Sequence, residues 1–189
     1  MEAYFLTGNQ DYLDYSTAWA DHNGWKGATS DDRSAWKYDY GETPDHVLFG
    51  DWQICFQTYA DLYNILPDDR RIRRAREVME YEMSTPQNDY WWWADGLYMV
   101  MPVMTKLYRI TGDARYLDKL YSYIQHSDSI MFDPEENLYY RDAKYTYPKH
   151  TSANGKKDFW ARGDGWVLAG LAKVLRDCLL YTSDAADDK

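Results

Sequence analysis

The apolar positions of this chain recur at helical rather than strand spacing. Ile54, Cys55, Thr58, Leu62 and Ile65 lie on one side of a helix predicted over residues 51 to about 66. Pro67-Asp68-Asp69 breaks it and starts a basic amphipathic helix over residues 70 to about 83, containing Ile72, Ala75, Val78 and Met79. Further helices are predicted over 93–109 and 116–125. A last one runs from about Asp164 through Val167, Leu168, Leu171, Val174 and Leu175. Two long polar, aromatic-rich loops, about 25–48 and 133–159, separate them. Loops of that length are usually functional or disordered, and their Tyr, Trp and Lys content favours ordered loops that face a ligand.

An internal repeat organises these helices. Tyr4-Phe5-Leu6-Thr7-Gly8-Asn9-Gln10-Asp11-Tyr12-Leu13-Asp14 returns, 104 residues later (108 − 4), as Tyr108-Arg109-Ile110-Thr111-Gly112-Asp113-Ala114-Arg115-Tyr116-Leu117-Asp118. In each copy a helix ends at Thr-Gly, where glycine can take the left-handed conformation that closes a helix. Asn9 or Asp113 then caps the next helix, whose apolar face begins Tyr-Leu. Repeated helix–turn–helix units of this kind mark helical arrays or toroids. Only residues 1–6 precede the first turn, so the chain is expected to be a fragment with partners on both sides. Residues 1–178 are read as part of one domain. The end, from Tyr181 on, drops the apolar period, so residues 179–189 are expected to be an extraneous tail.

Composition narrows the chemistry. Of the 189 residues 17% are aromatic, with 9 Trp and 19 Tyr, more large amphipathic rings than a helical core needs. Such an excess suits carbohydrate recognition, and equally a protein interface. A net charge of −10 argues against nucleic acid or an anionic membrane as general partner. No apolar run reaches membrane-spanning length. Cys55 and Cys178 form no metal-spaced set and read as small buried apolar residues; His22, His46, His126 and His150 read as surface or local hydrogen-bonding groups.

The most telling run is Trp91-Trp92-Trp93-Ala94-Asp95-Gly96-Leu97-Tyr98-Met99. Indole faces stack on the C–H surfaces of sugars. A carboxyl among them is partly desolvated, which raises its pKa toward general-acid work near neutral pH. The competing reading makes the tryptophans core and Asp95 the cap of the following helix.

The chain resembles the unsaturated rhamnogalacturonyl hydrolases, glycoside hydrolase family 105, related to the unsaturated glucuronyl hydrolases of family 88. The resemblance rests on four segments: residues 13–25, Asp51-Trp52-Gln53-Ile54-Cys55-Phe56-Gln57-Thr58-Tyr59, residues 91–111, and Phe159-Trp160-Ala161-Arg162-Gly163-Asp164-Gly165-Trp166. It implies an all-α fold, an (α/α)6 barrel of six helical hairpins, about half of it present here. It also implies removal of a C4=C5 unsaturated uronic acid, most simply galacturonyl from pectin-derived rhamnogalacturonan oligosaccharides, without metal or other cofactor. By the resemblance Asp95 matches the general acid/base and Asp51 a second essential acid, with a helix cap as the alternative for Asp51. Arg162 suits the uronate carboxylate through a forked contact. Trp52, Trp92, Trp93, Trp160 and Trp166 are the candidate sugar-binding rings, with a core role the competing reading of Trp166.

Two departures from the family pattern bear on specificity. Arg141 stands where many members have histidine, and Asp164 stands where Asn is common, adding negative charge beside Arg162. Arg141 is therefore a candidate substrate contact, and Lys144, Lys149, Lys156 and Lys157 offer positive charge to an anionic aglycone, or else a solvated loop surface. Two alternatives stand beside the first activity: an unsaturated glucuronyl hydrolase, and a non-catalytic helical fragment that binds carbohydrate. The expected partner is the unsaturated oligosaccharide, and the sequence leaves the compartment open between cytoplasm and periplasm.

Overall fold

Gly8 and Gly112 both take left-handed backbone conformations, φ 65° and 71°, and each closes a helix. The two repeats match bond for bond in the computed structural model, which describes the backbone of residues 1–184 and the side chains of residues 1–178. Gly8 N–H donates to Tyr4 O at 2.8 Å and Gly112 N–H to Tyr108 O at 2.7 Å. The Thr7 and Thr111 hydroxyls donate to the carbonyls of Ala3 and Leu107, and each accepts from the amide two residues on, at 3.2 Å. Asn9 then accepts from Asp11 N–H at 2.9 Å, and Asp113 from Arg115 N–H at 3.0 Å. Asp68 repeats the device, accepting from Arg70 N–H at 3.0 Å, so one local grammar starts three helices.

The chain forms two units, divided between Ser84 and Thr85. The first contains α1 (Glu2–Thr7), α2 (Gln10–His22), α3 (Gly50–Gln53), α4 (Cys55–Ile65) and α5 (Arg70–Ser84), with a single 3-10 turn at Arg33–Ala35. The helix expected over 51–66 is thus two, interrupted at Ile54. Phe56, Tyr59, Ala60 and Leu62 of α4 are buried, as are Ile72, Ala75, Val78 and Met79 of α5. Gln53, fully buried, donates to Val47 O and to the Glu82 carboxylate at 2.6 Å, tying α3 to α5. The 25–48 loop is held by Arg74 of α5, whose guanidinium is buried. It donates to Glu77 at 2.8 Å, to Asp31, and to the carbonyls of Ala28 and Ser30, and it lies 5.0 Å over the Trp36 ring.

The second unit contains α6 (Ala94–Thr111), α7 (Arg115–Met131) and α8 (Ala161–Asp184), with a small antiparallel hairpin, β1 (Phe132–Asp133) and β2 (Leu138–Tyr139), between α7 and α8. The hairpin was not foreseen from the apolar pattern; two residues per strand are too few to show alternation. α6 and α8 share the most extensive helix interface and run parallel. Gly163 meets Ala94 near their starts, Gly170 packs on Leu97 and Tyr98, and Asp177 accepts from Thr105 at 2.8 Å further along. A Cβ on Gly170 would lie 3.0 Å from the Tyr98 backbone, so this close crossing needs glycine. The loop after β2 is anchored by Asp133, buried, which accepts from Lys157 at 2.7 Å, from the Tyr140 hydroxyl at 2.7 Å, and from the amides of Glu135 and Glu136. Of the expected tail, residues 185–189 lie outside the described residues, and the α8 backbone continues to Asp184.

Cys55 and Cys178 are free thiols, half-buried rather than core. Burial pushes the Cys55 thiol up to about 12, so it stays protonated. Among the described residues no helix is long and apolar enough to cross a membrane, and no cluster of three His, Cys, Asp or Glu is placed to hold a metal ion.

Candidate active site

Parallel packing of α6 and α8 brings their N-termini to one end of the second unit, and this determines which side chains meet. Asp95 lies in the first turn of α6, behind an extended Trp93 at the cap position. Arg162 lies in the first turn of α8. A cation at a helix N-terminus opposes the helix dipole, and Gly163 next to it is a poor helix former. Gly163 has a packing reason: a Cβ there would come within 2.7 Å of the Trp160 ring. Arg162 has none of that kind; its guanidinium lies 4.5 Å over the Trp160 ring, where it can act on charge nearby.

Asp95 is half-buried. Burial holds its carboxyl above the ordinary carboxylate range, while the positive charges of Arg162, foremost, and Arg141 pull it part of the way back. Asp95, Arg162 and Arg141 therefore form one electrostatic group, assembled from α6, α8 and the loop after β2. The backbone of that loop is pinned to the start of α6: Ala94 N–H donates to Arg141 O at 2.9 Å, and Trp93 and Asp142 form an isolated bridge.

The rings divide into wall and surface. Trp91 is buried edge-on against Tyr123, and Trp93, 6% exposed, folds over Gly96, whose hypothetical Cβ would touch its ring at 3.2 Å. Trp93 is thus packed into the wall rather than offered as a platform, with half-buried Trp92 tilted against it at 4.6 Å. Trp166 behaves in the opposite way to a core ring: it is 38% exposed and lies 4.6 Å from Tyr98. Lys173 sits 4.7 Å over the other partner, Tyr98. Trp160 is half-buried beneath Arg162.

Asp164 does not stand beside Arg162. α8 begins at Ala161, so two residues of helix turn Asp164 to the far side, where it accepts from Tyr139 N–H at 2.7 Å and locks α8 to β2. Its charge is spent on the hairpin. Lys157 is likewise committed, to Asp133 and Glu135, and is no free aglycone contact; Lys149 donates to Ala143 O. His46 is buried against Thr43 and His150 pairs with Asp158 at 2.8 Å, local roles of the kind expected.

Asp51 and Trp52 belong to the first unit. Phe49, not Asp51, is the cap residue of α3; Asp51 lies in the first turn and is exposed. With Trp52, Tyr40, Gly41, Glu42 and Phe49 it lines a hollow of about 240 Å³, enough for one sugar ring. Trp52 is fixed there by donation from its indole N–H to Gly41 O at 3.0 Å. Tyr40, 70% exposed, and Glu42 are site candidates that the sequence did not reveal, because nothing local marks a loop residue as facing a hollow. Tyr145, in contact with Arg141, is another.

Comparison with known proteins bears on the family and the fold. One solved structure, described as a polysaccharide lyase, is 73% identical with a TM-score of 0.92; the match covers 94% of this chain and 50% of that one. A glycosyl hydrolase family 88 protein from Bacteroides vulgatus is 63% identical, TM-score 0.92, over 94% and 51% of the two chains. A family 105 glycoside hydrolase from C. acetobutylicum, 20% identical with a TM-score of 0.60, shares the fold. Among curated proteins, an unsaturated 3S-rhamnoglycuronyl hydrolase of Formosa agariphila is 39% identical over 92 residues, 46% of this chain and 24% of that protein. The chain spans about half the length of these structures, so its fold class is their all-α (α/α)6 barrel, present in part. The family model for Glycosyl Hydrolase Family 88 matches residues 1–187, and the chain belongs to that family.

Proposed function

We propose that the protein to which this sequence belongs removes a 4,5-unsaturated uronic acid from the end of an oligosaccharide, with Asp95 as proton donor and water activator. The observation that carries this reading is the Asp95 carboxyl, held protonated more readily than usual by burial while two arginines stand near it. Neutral Asp95 gives its proton to C4 of the alkene. Water adds at C5 and returns a proton to the Asp95 carboxylate, leaving a hemiketal at C5. That hemiketal opens, expelling the aglycone as an alcohol, so atoms and charge balance and Asp95 ends as it began. Arg162 and Arg141 suit the uronate carboxylate, a planar anion that guanidinium groups recognise by paired hydrogen bonds. Trp160, Trp92 and Trp166 supply the partly exposed rings, and Asp51 with Trp52 a second carboxylate-and-indole pair in the first unit.

Galacturonyl linked to rhamnose is the first substrate reading. The curated relatives are named unsaturated 3S-rhamnoglycuronyl hydrolases, which favours a glycuronyl–rhamnose substrate as the second. The chemistry has a sharp readout, because hydration destroys the conjugated alkene. Incubation with lyase-treated rhamnogalacturonan or ulvan should make the alkene absorbance fall, and comparing rates ranks the substrates. A rise in absorbance on the untreated polysaccharide would instead mean elimination, a lyase. Asp95→Asn should lower kcat by roughly 10²–10⁴-fold, the scale of general acid–base catalysis. Because folding raises the Asp95 pKa, its ionised form weakens the fold above that pKa; the Asn variant should therefore melt no lower than wild type at neutral pH. Full activity in Asp95→Asn refutes the assignment.

A further inference from the structure

The 133–159 segment is knit together by its own polar groups. Asp133, Lys157, His150, Asp158 and the Tyr140 hydroxyl are all committed to partners within it. Three polar tips are not. Among the described residues no hydrogen bond or ion pair holds the Glu136 carboxylate, the Tyr147 hydroxyl or the Lys156 ammonium. All three line one hollow of about 470 Å³, completed by Gly155, Lys157 and Phe159. That volume falls within the range of small-molecule sites. The hollow is also preformed. Buried Asp133 accepts from the Glu136 amide at 3.1 Å and from the Lys157 ammonium at 2.7 Å, so one carboxylate clamps two of its walls. Ser152 closes the turn that carries Gly155 and Lys156: its amide donates to Lys156 O at 2.9 Å, and its hydroxyl accepts from Lys156 N–H at 3.2 Å. Phe159 is held by stacking on Tyr140, ring centres 4.7 Å apart, while Tyr147 is 48% exposed. Walls fixed in this way leave little to be ordered when a ligand enters.

The lining selects the ligand. Aromatic rings pack on the C–H face of a sugar, a free carboxylate accepts from its hydroxyls, and a free ammonium donates to them. The charges do not favour an anion, because Glu136 opposes Lys156, and Lys157 is already neutralised by Asp133 and Glu135. The hollow lies close to the candidate active site. Phe159 is three residues from Arg162 (162 − 159), so their Cα atoms are at most about 11 Å apart. The neighbours of Arg162 and Asp95 touch in turn: a Cβ on Gly163 would lie 3.4 Å from the Ala94 Cβ. An unsaturated uronate has lost its 4-linkage, so it stands at one end of the oligosaccharide and every other sugar lies on the leaving side. We propose that this hollow is a subsite for a neutral sugar on the leaving side, with Tyr147 and Phe159 as its ring wall and Glu136 and Lys156 as its hydroxyl contacts. The proposal rests on the reading of Asp95 as proton donor, which places the other end of the oligosaccharide, and it deepens that reading by naming the class of sugar in the aglycone. A neutral unit thus takes the place of the anionic aglycone expected of Lys156.

The experiment is an NMR titration of the full chain with L-rhamnose, D-galactose and D-galacturonate, followed through the Gly155 and Lys156 amides. The two neutral sugars should shift both amides saturably, and galacturonate should bind several-fold more weakly. Tyr147→Ala should weaken neutral-sugar binding roughly two- to tenfold, the scale of one ring contact. Glu136→Gln removes the opposing charge and should narrow the gap between galactose and galacturonate. Both side chains are exposed, so neither variant should melt differently from wild type. No shift with any of the three sugars, galacturonate bound as tightly as galactose, or wild-type binding in Tyr147→Ala overturns the proposal. Where turnover is measured, Tyr147→Ala should raise KM with little change in kcat, and an unchanged KM overturns the placement on the leaving side. Absence of turnover on every unsaturated substrate would sink the proposed function, while the titration would still decide whether the hollow binds a neutral sugar.

Discussion

The two units solve one problem with opposite charges. Each must hold a long loop against its helices. The first does so with a buried cation, Arg74, which gathers Asp31, Glu77 and two loop carbonyls. The second uses a buried anion, Asp133, which gathers Lys157, a tyrosine hydroxyl and two amides. A buried charge is tolerated only when its bonding capacity is filled, so each ion specifies its loop by requiring many partners at once. The repeated turn makes a second contrast. The same bonds close α1 and α6, yet α2 buries only Ala20 while α7 buries Tyr116, Leu120, Tyr123, Ser127 and Met131. Identical local chemistry does not produce identical burial, because burial depends on which other segments pack alongside.

These contrasts can be broken. Arg74→Met leaves Glu77 short of a partner, takes the guanidinium donor from the Ala28 carbonyl, and leaves the Ser30 carbonyl with the Trp36 indole N–H alone. It should cost about 3 kcal/mol in denaturant unfolding, the scale for removing one member of a buried ion group. Asp133→Asn should cost somewhat less, about 2 kcal/mol, since the amide still accepts hydrogen bonds. The two anchors should also differ in acid. Lys157 and the Tyr140 hydroxyl hold the Asp133 carboxyl well below the usual range. A folded pKa below the unfolded one contributes stability that is complete above the ordinary carboxylate pKa. That contribution is lost as pH falls from there toward the folded value. The difference in stability between wild type and Asp133→Asn should therefore shrink below about pH 4. Amide exchange in the 133–159 loop, followed against pH, checks it.

The smallest effect sharpens the comparison of the turns. Gly8→Ala and Gly112→Ala meet the same strain, a left-handed backbone with open space around the new methyl, about 1 kcal/mol each. Gly112→Ala should lower the melting temperature by several degrees, because α7 is packed through its length. Gly8→Ala should be read mainly as faster amide exchange in α1 and α2. Equal losses in both would mean that the first copy is as deeply built in as the second.

Much of this was legible in the sequence because the signals are local. Thr-Gly-Asn closed and reopened helices as read, since the atoms involved lie within four residues of one another; in the second copy Thr-Gly closed α6 as read, but the cap position of α7 falls on Ala114, one residue past Asp113. Asp95 and Arg162 could be picked out as candidates from residue type and motif. What each neighbouring ring does was not. Trp93 is wall because Gly96 lets it fold down, Trp166 is surface, and Asp164 faces the hairpin because α8 starts three residues earlier than the periodicity indicated. Tyr145 could not be singled out, since its contact with Arg141 depends on a loop curling back. Sequence by itself determined the helices, their turns and the residue types able to do acid chemistry, because those depend on neighbours a few positions away. Only the tertiary structure decided which rings are covered and which charges meet, because burial and electrostatics depend on whatever distant segment happens to pack alongside.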